Sequence, residues 1–180
     1  MKPPGEVLDM KPRLHALLVV LLSGAAVAPA CAIDPPTVQG HLEYGKQRYE
    51  LRHAQAVRSP DDPKRLWIVL TTAGISVKDA ADGSRMLELA MSGKLRGVRL
   101  HVDAAKPNPG HLQGALLLSK DESPGGEIVF GAGAEKYWER LTVGGNRVVG
   151  KVRYAREATA SGSPAWAFEV SFSAPIFNAR

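Results

Sequence analysis

A chain of 180 residues that is 44% hydrophobic, 23% charged and 6% aromatic has ordinary globular composition and a length suited to one domain. That balance excludes a collagen, a coiled coil, a disulfide scaffold and a wholly disordered chain; eighteen Gly and thirteen Pro favour many turns over long helices. The net charge of +5 is scattered, its densest groups being the short Lys64-Arg65 and Arg96 to Arg99, and it is not gathered on one helix or stripe as in nucleic-acid binders. It reads as a solvated basic surface, suited to weak contact with anionic lipid or polysaccharide and not to nucleic acid.

The first element in chain order is a targeting segment. Lys11 and Arg13 precede the apolar stretch Leu14 to Leu22, and the small residues Ser23 to Ala32 follow. A positive region, a short apolar region and a small-residue cleavage site make a secretory signal peptide over residues 1–32. A membrane anchor needs about 20 strongly apolar residues, and this core decays into Ala, Gly and Pro too soon. No transmembrane segment is expected after signal removal. Met1 to Asp9 add two prolines and two acids that serve no targeting purpose, so translation from Met10 fits the pattern equally.

The cut decides the fate of the lone cysteine. Ala30-Cys31-Ala32 is an A-x-A site, and cutting after Ala32 leaves a chain without cysteine, hence without disulfide or thiolate chemistry. The alternative is lipidation of Cys31, which anchors the protein to the outer membrane. The preceding Ala28-Pro29-Ala30 departs from the usual lipid box, so simple cleavage and a periplasmic or secreted protein are the first expectation. Residues 33–180 are long enough to bury a core without disulfides.

Ile33 to Thr37 reads as a short linker. Val38 to Tyr44, a Gly45-Lys46 turn and Tyr49 to Ala54 alternate as a hairpin. Arg58 to Pro63 is a loop. Leu66 to Thr72 is a near-continuous apolar run, expected as a central strand buried on both faces. One helix is expected near 77–92, with Ser76 and Asp79 at capping-box spacing, an interruption at Asp82-Gly83 and a stop at Gly93. Val98, Leu100 and Val102 alternate with Arg99 and His101. Leu112 to Ser119 and Ile128 to Phe130 are strand-like, with Gly131 to Ala134 a break or a bulged strand. Leu141 to Val143, a Gly144-Gly145-Asn146 turn and Arg147 to Tyr154 form a second hairpin. Trp166, Phe168, Val170 and Phe172 give the most regular strand signal, and residues 178–180 are a tail.

These elements predict a mainly β fold. It is an antiparallel meander forming a sandwich or small barrel of about eight or nine strands, with one inserted helix, as a single domain over residues 38–177.

Chemistry is sparse. His41, His53, His101 and His111 have no metal-ligand spacing, although His41 and His53 could face each other across the first hairpin; no metal is expected. No Gly-x-Ser-x-Gly elbow occurs. The glycine-rich stretches Gly131 to Lys136 and Gly144 to Lys151 miss the phosphate-loop pattern, since Val152 follows Lys151, so no nucleotide or other cofactor is expected. Asp61-Asp62 and Asp121-Glu122 lie in loops, where neighbouring carboxylates stay solvated rather than serve as acid and base. Tyr137-Trp138 is the candidate for ligand or partner contact, because amphipathic rings suit half-buried sites. Strands of the outer-membrane barrel type would be longer and carry aromatic girdles.

The stretches Gly40-x-Leu42 through His53-Ala54, Ile68-Val69-Leu70-Thr71, Gly97-Val98-x-Leu100 and Phe172-x-Ala174-Pro175-Ile176 resemble an uncharacterised family of small exported bacterial β-rich proteins. The resemblance implies export and a β-rich fold and no catalytic residues. The expected role is non-enzymatic: a binding or accessory module of the bacterial envelope, contacting a protein or polymer through strand edges and loops. The alternatives are a small barrel carrying an apolar ligand, or a lipoprotein with the same domain.

Overall fold

Period-two alternation is realised as ten strands among the described residues, which are 36–133, 137–160 and 162–178 of the computed structural model. In chain order they are β1 (Thr37–Tyr44), β2 (Gln47–Leu51), β3 (His53–Arg58), β4 (Arg65–Thr71), β5 (Gly97–Asp103), β6 (His111–Leu117), β7 (Glu127–Gly133), β8 (Trp138–Gly144), β9 (Arg147–Arg156) and β10 (Trp166–Phe177). Helices α1 (Val77–Ala80) and α2 (Gly83–Met91) stand between β4 and β5. The proposed signal segment, with Ala30, Cys31 and Ala32, lies outside the described residues.

The strands form a curled open sheet, a half-barrel made of two antiparallel halves. One half runs β8-β9-β10-β1-β2. The other is the meander β3-β4-β5-β6-β7. Two features join them. Arg52 alone separates β2 from β3, and its N–H donates to the Thr71 carbonyl at 2.9 Å, so the chain changes halves within one residue. At the other seam β10 outruns β1: past Ser173, Ile176 and Phe177 pair in parallel with Ala56 and Val57. Antiparallel pairing thus holds within each half, but only β3 to β7 is a meander throughout, since β1 lies beside β10 in the other half; the seam is parallel because a long last strand bridges both.

The concave side is filled. Leu42, Leu66, Ile68, Leu70, Leu100, Leu112, Leu116 and Val170 are fully buried in one cluster shared by both halves. Each such side chain contributes about 1.5–3 kcal/mol on leaving water. The convex side of the meander carries a second cluster, in which Val57, Val69 and Leu117 meet Ala80, Met86 and Ala90 of the helices. Strand β4 is therefore covered on both faces, Leu66, Ile68 and Leu70 inward and Val69 outward, as its unbroken apolar run predicts.

The single helix near 77–92 is two short ones. Ser76 caps α1, accepting the Asp79 N–H at 3.0 Å, and Asp82 caps α2, accepting the Arg85 N–H at 3.0 Å. A second cap residue inside the predicted span starts a new helix rather than continuing the old one. Helix α2 stops at Gly93, whose φ of 76° allows the paired bonds Gly93 N–H to Ala90 and Lys94 N–H to Leu89. The β8–β9 turn has positive φ at both Gly145 and Asn146, as a tight hairpin of this twist requires.

Candidate functional site

On the half β8-β9-β10-β1-β2, alternation sends every second side chain to solvent. Register fixes the rows. Arg153, Glu169, His41 and Glu50 lie side by side across β9, β10, β1 and β2. The next row is Lys151, Ser171 and Gln39, and the next is Val149, Ser173 and Thr37. The inward residues of the same strands, Val152, Val170 and Leu42 among them, are core, so this polar face rests on a rigid platform.

Three depressions of about 660, 470 and 600 Å³ lie along this face. The first and second share His41 and Glu169; the second and third share Gln39 and Ser171. Together they are one polar furrow crossing the strands. Its charged lining is Arg48, Arg140, Lys151 and Arg153 against Glu50, Glu139 and Glu169, close to balance. Ion pairs along it are exposed: Lys151 with Glu139 at 2.7 Å, and Arg48 with Glu50 at 3.1 Å and with Glu43 at 3.2 Å; His41 Nε2 lies 3.4 Å from Glu43. Pairs of that kind hold about 0–1 kcal/mol and exchange readily for contacts to a ligand. Glu169 stands between Arg153 and His41 in register, with no ion pair within 4 Å among the described residues.

The structure separates the two aromatic candidates. Tyr137 is half-buried at one end of the furrow, its ring 5.3 Å from that of Tyr154. Trp138 is 1% exposed and belongs to the core, with its indole N–H donating to the His111 carbonyl at 3.3 Å. Both rings touch the core cluster, Tyr137 from its edge just before β8 and Trp138 from within it.

The other candidates are also placed. His41 and His53 do not face each other, because His53 opens β3 in the other half and pairs in register with Thr71. Opposite His41 on β2 is Glu50. No group of three potential metal ligands occurs among the described residues. No described helix is long and apolar enough to cross a membrane. Gly131 and Gly133 belong to β7, and Gly144 to Lys151 is the β8–β9 hairpin.

Glu122 departs from expectation. It is not a solvated loop carboxylate but a clasp. It accepts from the Tyr49 hydroxyl, from Arg96 Nε at 2.6 Å, and from the Ser119 N–H and hydroxyl at 2.8 and 2.7 Å. Burial works against its charge, yet these donors outweigh burial and hold its pKa below the ordinary value. The same donors tie β2 to the 118–126 connection, which no local sequence signal announces.

The furrow itself was missed by motif reasoning. Its signal was the period-two polar set Thr37, Gln39, His41 and Ser171, Ser173. What made these one surface is the placement of β10 between β1 and β9. Compared with known proteins, the chain matches no family model, no curated protein and no solved structure.

Proposed function

We propose that this protein is a non-enzymatic binding or accessory module of the bacterial envelope, which docks a glycan strand of an envelope polymer along the furrow. The observation that carries the reading is the furrow's continuity: a trough of hydroxyl, amide and charge-balanced side chains laid across five strands on a filled core. Alternating donors and acceptors with little net charge suit a polyhydroxylated chain better than a polyanion. Tyr137 at one end offers a ring face for a sugar. The runner-up, a barrel carrying an apolar ligand, needs interior room that Leu42, Phe168, Phe172 and their neighbours occupy.

Co-sedimentation of the protein with purified peptidoglycan sacculi tests the docking. Retention is expected, and Ser171→Trp, which fills the middle of the furrow, is expected to weaken it at least ten-fold with the melting temperature unchanged. Unretained wild type, or retention indifferent to Ser171→Trp, overturns the reading.

Placement in the envelope rests on the positive, apolar and small-residue pattern of residues 11–32 and is tested separately. The intact mass of the protein from its native envelope is expected to match a chain beginning at Ile33. A chain beginning at Cys31 with acyl mass makes it a lipoprotein, working at the membrane surface.

A further inference from the structure

The inner side of the sheet ends in an unusual row. Tyr44, Trp166 and Arg156 are in register across β1, β10 and β9. The inward positions of β9 run Val148, Gly150, Val152, Tyr154 and then Arg156. A guanidinium thus occupies the last place of an otherwise apolar series. The Arg156 guanidinium is exposed and has no hydrogen bond or ion pair among the described residues.

This row floors a cavity of about 420 Å³, within the size range of small-molecule sites. The floor is firm: Trp166 is 4% exposed, with its ring 5.0 Å from Tyr154 and 5.1 Å from Phe130. Pro124 and Pro164, from the β6–β7 and β9–β10 connections, are part of its lining. Within the second connection the Ser163 carbonyl accepts the Thr159 N–H at 3.0 Å. Two carboxylates also line it. Glu122 is committed to Arg96, Tyr49 and Ser119, as described above. Glu157, next to Arg156, has no ion pair among the described residues.

A flat aromatic floor, one uncommitted cation and one uncommitted anion complement a single kind of small molecule. We propose that this cavity binds a zwitterion carrying a flat apolar ring, an aromatic amino acid being the minimal case. The ring lies against Trp166, the carboxylate meets the Arg156 guanidinium and the ammonium meets Glu157. Arginine suits the carboxylate because its planar fork offers two parallel N–H donors. This site is on the inner side of the sheet and is independent of the polar furrow.

The test is calorimetric titration of the full chain with L-phenylalanine, with the Trp166 indole N–H followed by NMR. One-to-one binding with a shift at Trp166 is expected. L-phenylalaninamide, lacking the carboxylate, is expected to bind at least ten-fold more weakly, and N-acetyl-L-phenylalanine, lacking the ammonium, to be weakened as well. Arg156→Gln is expected to weaken phenylalanine at least ten-fold and to leave the amide unchanged; Glu157→Gln is expected to weaken phenylalanine and leave the N-acetyl compound unchanged. Both side chains are exposed, so unchanged melting temperatures certify the variants. Absent binding, equal binding of phenylalanine and its amide, or indifference to Arg156→Gln overturns the proposal.

Discussion

Burial lowers the pKa of the His101 imidazole from 6.5 to about 4, with the positive charges of Arg99 and Arg65 adding to the effect. The ring stacks on Trp67 at 6.1 Å, and neither of its nitrogens has a hydrogen-bond partner among the described residues. A histidine whose folded pKa is depressed binds more protons unfolded than folded between those two values. Stability is therefore full above about pH 6.5 and declines as pH falls toward 4, by roughly 1–2 kcal/mol once screening of a partly exposed ring is allowed for. His101→Phe keeps the stack and removes two unpaired polar atoms. It is expected to raise stability by about 1 kcal/mol at pH 7 and to flatten this part of the pH profile, read by urea denaturation at several pH values. Glu122 acts in the same direction at lower pH. Its lowered pKa contributes stability that is present above the ordinary carboxylate range and lost as pH falls through the folded value. Glu122→Ala strands the Arg96, Tyr49 and Ser119 donors together and is expected to cost about 2–4 kcal/mol in the same assay, with Glu122→Gln in between.

Among the elements, the β8-β9-β10 ladder shows how a missing side chain permits a contact. Gly150 faces inward, where a Cβ would lie 2.6 Å from the Phe172 ring and 3.0 Å from the Trp138 ring. Those two rings meet edge-on with centroids 6.3 Å apart, over the space the glycine leaves. Gly150→Ala is expected to cost about 1–3 kcal/mol, measured as a lower denaturation midpoint. Gly40 is more constrained, because its Cβ would meet backbone, the Glu169 carbonyl, at 2.2 Å. The helices are legible from their caps but not from their number. Ser76 and Asp82 both precede a residue three positions on whose N–H they accept. The Asp82-Gly83 interruption marked the break between α1 and α2. Met86 is the largest fully buried helical side chain and packs against the meander. Met86→Ala is expected to cost about 2–4 kcal/mol.

Across the whole molecule, one core belongs to both halves. Leu42 and Phe172 from one half and Leu66 and Leu100 from the other lie in the same cluster. Neither half keeps an inner face covered without the other. A single cooperative unfolding transition is expected, with far-ultraviolet and near-ultraviolet circular dichroism changing together; Leu66→Ala should move both equally, by about 2–5 kcal/mol. The seam at Ile176 and Phe177 explains why β10 runs past the regular Trp166–Phe172 alternation. It carries Pro175 and still continues, because beyond Ser173 it leaves β1 and takes β3 as partner.

The local pieces were already legible along the chain. Alternation and turn residues located the strands, since a period of two needs only neighbours in sequence to be recognised. The double-sided burial of Leu66 to Leu70 was equally plain, because a run without polar positions has no face to offer to water. Everything that depends on which strands meet was left to the folded molecule. Folding split the segment around Arg52 between two halves. It set β10 between β1 and β9, and so made a furrow from polar residues remote in sequence. It put Tyr137 at that furrow and Trp138 in the core, and brought Glu122 to Tyr49 and Arg96. Those outcomes follow from burying two inner faces against each other, a global condition that no window of residues contains.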